Sequence, residues 1–237
     1  MLIAIYEFCQ LADLNKLFPL LFGAFTFYWS TQFKTGHTND LLLLLATLFV
    51  SVKCLFLLFG SKAKLDTLSK YIYVIGYVIF PFILITKIPF GIKGFNPKII
   101  ISIFILIWTN DTFAYIVGKS IGKHKLIEKI SPKKTIEGFV GGVLFSVIAG
   151  ILISKFYIHP KPNHQDISLL IWTISAVIIS IFSTLGDLIE SKFKRIAGVK
   201  DSGMIMPGHG GILDRLDSII FVAPFVYLFY QILYYVS

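Results

Sequence analysis

The chain has 237 residues, of which 56% are hydrophobic and 15% charged, with mean hydropathy +0.79 and formal net charge +9. Soluble domains carry about 25% charged residues, so the composition argues against an ordinary soluble fold. In so apolar a chain the positive balance points to membrane-flanking loops and not to a nucleic-acid partner.

Taken in chain order, the apolar residues fall into long blocks. Residues 1–12, MLIAIYEFCQLA, are apolar but too short to span by themselves, and they lack the basic start and cleavage site of a signal peptide. Blocks follow at 17–33, 41–60, 71–90, 98–118, 138–157, 168–186 and 216–236. They show no strict apolar–polar alternation of the kind a β-barrel requires. The reading is an all-α, polytopic integral membrane protein with about 7–8 transmembrane helices, since about 20 apolar residues cross the hydrocarbon core. Cys9 and Cys54 lie in apolar runs without metal-ligand spacing and read as buried thiols.

Alternating the blocks across a membrane puts fifteen Lys and Arg residues on one side: Lys16 and those within 62–70, 119–134 and 192–215. Six fall on the other: Lys34, Lys87, Lys93, Lys98, Lys155 and Lys161. The richer side is expected to face the cytoplasm, in a bacterial-type inner (cell) membrane. Ionisable residues are sparse before residue 95, so 1–95 reads as a scaffold and 96–237 as the catalytic region.

That second region carries three polar clusters, which the alternation brings to one side: WTNDTFAYIVGKSIGKHK (108–125), SPKKTIEGFVGG (131–142) and a long one at 186–218. GKSIGKHK resembles a P-loop, but the required Gly-x4-Gly-Lys-Ser/Thr spacing is not met. Asp111 sits inside a hydrophobic block, where a carboxylate is costly and points to function or to pairing with a lysine. Asp187, Glu190 and Ser191 share one helix face by their spacing. Asp214 and Asp217 are three apart at the start of the last block. Several carboxylates around one point would repel unless a cation or the nearby Lys194, Arg195 and Arg215 compensated, and hard oxygen ligands of this kind suit Mg2+. PGHGG (207–211) disfavours a helix and can bring backbone N–H groups close to an anion. Lys133 and Lys134 precede a predicted helix start at 135–137, which also favours phosphate. His209 could donate a proton or a hydrogen bond. Together these groups describe a site for a metal–polyphosphate complex.

The stretch 191–217, SKFKRIAGVKDSGMIMPGHGGILDRLD, resembles the signature of the phosphatidate cytidylyltransferase (CDP-diacylglycerol synthase) family. That pattern is Ser-x-hydrophobic-Lys-Arg, four residues, Lys-Asp, then Pro-x-His-Gly-Gly-x-x-Asp-Arg-x-Asp, and every fixed position is met. Met206 stands where the family usually has Leu, Ile or Phe. GDLIES, SPKKTIEG and DTFAYIVGKSIGKHK resemble further family segments in the right order, and IYEF an upstream aromatic-Glu-aromatic element. In the family a further hydrophobic segment usually precedes that element, so the chain reads as short at its N-terminus.

The resemblance implies transfer of CMP from CTP to phosphatidate at the cytoplasmic surface, with Mg2+. It implies Asp187, Asp214 and Asp217 as metal ligands, supported by Ser191. Lys194, Arg195, Lys200 and Arg215 would hold phosphates, with Asp201, Gly210 and Gly211 in the same substrate-binding element and His209 in a catalytic role. Ser131, Lys133, Lys134, Thr135 and Asp111 would lie near CTP or the lipid headgroup. No nucleic acid is expected as partner, and a homodimer is kept open. An ether-lipid cytidylyltransferase and a CTP-dependent lipid-alcohol kinase are the nearest alternatives. An ion-coupled transporter would call for repeats that the sequence does not show.

Overall fold

The computed structural model of the chain describes residues 1–33, 36–60, 65–91, 94–158, 165–203 and 210–236. Each apolar block becomes helical, because in hydrocarbon every backbone polar group must be satisfied within its own segment. In chain order these are α1 (Leu2–Leu11), α2 (Leu17–Gln32), α3 (His37–Phe59) and α4 (Thr67–Tyr73). A π-helical turn (Val74–Ile79) carries α4 into α5 (Phe80–Lys87). Then come α6 (Pro97–Ile121), α7 (Ile136–Leu152) with a π-helical end (Ile153–Ile158), α8 (Gln165–Ile196) and α9 (Leu213–Val236).

Among the described residues six helical rods are long and apolar enough to cross a membrane, α4 and α5 counting as one. The block at 17–33 yields α2, whose 16 residues rise about 24 Å at 1.5 Å per residue. That is short of the roughly 30 Å hydrocarbon core, so six long spans stand where seven or eight were expected. Large apolar side chains such as Phe56, 76% exposed, and Phe59, 74% exposed, face outward as they should where lipid is the solvent.

Local chemistry sets the helix starts. Asp66 caps α4 by accepting from the Ser69 N–H, and Asn96 caps α6 by accepting from the Lys98 N–H, with Pro97 at the first helical position. Two short antiparallel ribbons interrupt the helices: β1 (Phe90–Gly91) with β2 (Gly94–Phe95), and β3 (Lys125–Ile127) with β4 (Ser131–Thr135). In the second, Lys125 pairs with Thr135 and Ile127 with Ser131.

The chain forms two compact units, Met1–Lys87 with Gly186–Leu228, and Ile88–Leu185 with Phe229–Ser237. These cross-cut the division at residue 95, because 186–228 packs with the N-terminal helices. In the first unit Phe193 of α8 meets the rings of Phe8, Tyr73 and Tyr77 at centroid distances of 5.1, 5.2 and 5.4 Å. In the second, Gly138, Gly141 and Gly142 of α7 lie so close to Ala114, Val117 and Asn110 of α6 that an added Cβ would meet them at 2.6–2.7 Å. Phe113 and Phe145 stack beside that seam, centroids 3.8 Å apart. Small residues give helices in lipid the backbone proximity on which their packing depends.

Gly150 of α7 faces the Trp172 carbonyl of α8, 2.8 Å from where a Cβ would stand. Gly150→Val should therefore cost about 1–3 kcal/mol by overpacking. Thermal unfolding in detergent should show this, with Gly36→Ala near wild type because nothing lies within 4 Å of a Cβ there.

Candidate functional site

The polar centre of the first unit lies where the end of α8 meets the start of α9. The two helices close to contact at Gly186: a Cβ there would stand 2.8 Å from the Asp217 carbonyl and 2.8 Å from Phe221 Cβ. Asp187, Glu190, Ser191 and Lys194 follow on α8, spaced so that i,i+3 and i,i+4 neighbours meet. Ser191 Oγ donates to Asp187 Oδ1 at 3.3 Å, as the shared face predicted. Packing of Phe193 into its aromatic cluster fixes the rotation of this last stretch.

Lys194 is central. Its Nζ pairs with Glu190 Oε2 one turn back and with Asp214 Oδ1 on α9 at 2.7 Å. The Glu190 side chain is 1% exposed, that of Asp214 11% and that of Lys194 14%. Buried carboxylates persist only when paired, and one ammonium here serves two of them. Lys194 thus neutralises carboxylates, the pairing that the sequence offered beside a phosphate role.

Asp214 does more than pair. Its Oδ2 accepts from the Ser202 N–H at 3.0 Å, from Ser202 Oγ at 2.9 Å and from the Gly211 N–H at 2.7 Å. Gly210 has φ 84°, left-handed backbone that favours glycine, and a Cβ there would lie 2.7 Å from the same Oδ2. The carboxylate therefore ties both described ends of the glycine-rich segment to the first turn of α9. His209 and its neighbours from 204 lie outside the described residues.

The other members of the predicted set are distributed around this centre and in the second unit. Asp217 is buried, with Oδ1 accepting from the Ser218 N–H at 2.6 Å. Arg195, Lys200, Asp201 and Arg215 are exposed. In the second unit Asp111 lies on α6, exposed, its Oδ1 accepting from Asn110 Nδ2 at 3.2 Å and Ser183 Oγ at 3.3 Å. Ser131, Lys133, Lys134 and Thr135 form β4. Thr135 is the N-cap of α7, its Oγ1 accepting from the Gly138 N–H at 3.1 Å. Glu137 binds back to the Lys123 and His124 N–H groups and to His124 Nδ1 at 2.6 Å.

Sequence reasoning passed over two residues. Ser202 is buried and gives Asp214 two donors. Glu7 of α1 is 1% exposed and accepts from the Ile212 and Leu213 N–H groups. The argument applied to Asp111, a carboxylate inside an apolar block, would have found Glu7 too.

A magnesium ion would call for hard oxygen ligands. Hard oxygens are present, but Asp214 already receives four protein donors, close to the four lone-pair sites of a carboxylate. Glu190 Oε1 is buried, and among the described residues no hydrogen-bond partner is recorded for it. Among the described residues no three His, Cys, Asp or Glu side chains are grouped to hold a metal ion. Lys194 brings positive charge against Asp214.

The profile of the cytidylyltransferase family matches residues 1–233 of this chain. A phosphatidate cytidylyltransferase of Staphylococcus haemolyticus (strain JCSC1435) is 54% identical over 123 residues, 51% of this chain and 44% of that protein. The protein of the same name from Staphylococcus epidermidis (strain RP62A) is 50% identical over 127 residues, 54% of this chain and 46% of the relative. That of Staphylococcus aureus (strain COL) is 51% identical over 123 residues, 51% of this chain and 44% of the relative. The chain spans about half the length of the relatives it matches.

Lys194→Met removes the one ammonium shared by Glu190 and Asp214. Breaking a buried pair in this way should cost about 3–5 kcal/mol. Denaturation in detergent measures it, and a loss below about 1 kcal/mol, the scale of an exposed pair, would contradict the pairing described.

Proposed function

The chain belongs to the cytidylyltransferase family, and from that premise we propose that it transfers CMP from CTP to phosphatidate, giving CDP-diacylglycerol and pyrophosphate. The observation that carries the substrate assignment is identity of 50–54% to proteins named phosphatidate cytidylyltransferase. Six apolar rods suit a lipid substrate, and the polar centre at the α8–α9 junction suits a charged headgroup.

In this reading a phosphate oxygen of phosphatidate attacks the α-phosphorus of CTP. The bond from that phosphorus to the bridging oxygen breaks, and its electron pair leaves with pyrophosphate. The nucleophile is already an anion, so no strong base is required. Acceleration comes from positioning and from neutralising charge on the phosphates. Arg195, Lys200 and Arg215 are the exposed cations flanking the glycine-rich segment, and Arg in particular presents a fork that matches phosphate oxygens. Lys133 and Lys134 on β4 are assigned to the nucleotide or the headgroup. Lys194 and Asp214 are assigned to holding the junction in shape.

Magnesium enters the proposal as part of the nucleotide substrate, the form in which it keeps most of its waters and needs only one or two protein carboxylates. Asp187 and Asp217 are assigned to it. The reading places this chemistry at the cytoplasmic face of a bacterial cell membrane, on the strength of the lysine and arginine distribution.

Purified protein in detergent, given phosphatidate, magnesium and CTP labelled at the α-phosphate, should form labelled CDP-diacylglycerol. Transfer of the γ-phosphate to a lipid alcohol instead would make the protein a kinase and refute the proposal. Asp214→Asn should lower turnover about 100-fold in folded protein, the scale that a misplacement of about 1 Å costs. Near-wild-type turnover would remove Asp214 from the machinery. A cysteine placed at Lys129, between β3 and β4, should react with impermeant reagents only from the cytoplasmic side; labelling from outside would reverse the topology.

A further inference from the structure

Glu7 is a charged residue in the ten-residue apolar helix α1, and it is 1% exposed. A carboxylate so placed needs partners, and its partners are backbone. The Ile212 N–H donates to Oε1 at 3.0 Å and the Leu213 N–H to Oε2 at 2.7 Å. These amides open α9, where helix geometry leaves N–H groups without intrahelical acceptors and the dipole favours negative charge. Glu7 therefore caps α9 from a position 205 and 206 residues away in sequence.

The same carboxylate fills the space beside two glycines. A Cβ on Gly203 would lie 2.7 Å from Glu7 Oε1, and one on Gly211 would lie 2.7 Å from both oxygens. Opposite, Asp214 Oδ2 holds Ser202 and Gly211. The two described ends of the glycine-rich segment are thus gripped by two carboxylates, Glu7 from α1 and Asp214 from α9. Phe8, the next residue of α1, packs edge-on against Phe193 of α8, which anchors the α1 backbone beside the junction.

We propose that Glu7 is a positioning residue for transfer: it fixes the Gly211–Leu213 backbone and, through it, the direction in which Asp214 and Arg215 leave the start of α9. Both of its oxygens are taken by backbone N–H groups, so its role is positioning. The proposal rests on the reading of this junction as the cytidylyl-transfer site.

The test uses Glu7→Gln, which keeps shape but turns one acceptor into a donor facing an N–H, and Gly203→Ala, whose methyl presses on a carboxylate pinned at both oxygens. Hydrogen exchange of the Gly211–Leu213 amides should accelerate at least about tenfold in each variant, since one buried hydrogen bond is lost, with α3 and α6 unchanged. The kcat for CDP-diacylglycerol formation should fall at least about tenfold while KM for CTP moves less than about twofold, because Arg195, Lys200, Lys133 and Lys134 lie outside the clamped backbone. Unchanged exchange at 211–213 overturns the clamp whatever the activity. Faster exchange with unchanged kcat overturns the positioning role. Wild-type protein that makes no CDP-diacylglycerol refutes the assigned reaction and leaves the exchange result to decide the clamp alone. Should Glu7→Gln not fold, Gly203→Ala is read in its place.

Discussion

Burying one lysine between two carboxylates ties the tail of one long helix to the head of another, and the rest of the first unit is arranged around that contact. Lys194 stands in the last turn of α8 and Asp214 in the first turn of α9. Each charge therefore sits at the helix end whose dipole favours it, before any pairing is counted. The pairing then joins two helices that also approach closely at Gly186, where a Cβ would stand 2.8 Å from the Asp217 carbonyl. Remove the ammonium and two carboxylates face each other with little water to screen them.

This explains why a chain so rich in Ile, Leu and Phe gathers glycines beside aspartates. The space a side chain would need is taken by carboxylate oxygens, from Asp214 at Gly210 and from Glu7 at Gly203 and Gly211. Backbone amides at Ser202, Gly211, Ile212 and Leu213 point at those oxygens. A proposed polyphosphate site beside them would inherit a backbone that is held before substrate arrives, which is what electrostatic preorganisation requires.

Much of this was legible in sequence, and the boundary has a physical cause. Hydrophobic block length predicted the spans because lipid leaves the backbone no alternative; α2 falls short because Lys16 and Phe33 bound a helix of only 16 residues. Helical spacing predicted that Asp187 and Ser191 would meet, since that contact is local. Contacts between helices were not legible. Glu190 and Lys194 are one turn apart, and the sequence offers Lys194 as a partner for nearby carboxylates, but no spacing says that Asp214 completes the trio. Glu7 stands out as a carboxylate in an apolar block, but its partners, amides more than 200 residues on, do not show in the sequence. Nor does block length show that 186–228 packs with the N-terminal helices in one compact unit.

The most direct test of the central contact is a double-mutant cycle on Lys194→Met and Asp214→Asn, read as unfolding free energy in detergent. Side chains that share a buried ion pair should show a coupling of about 1–3 kcal/mol. Additivity within about 0.5 kcal/mol would mean that the two helix ends are held by something other than this charge, and the account built on it would not stand.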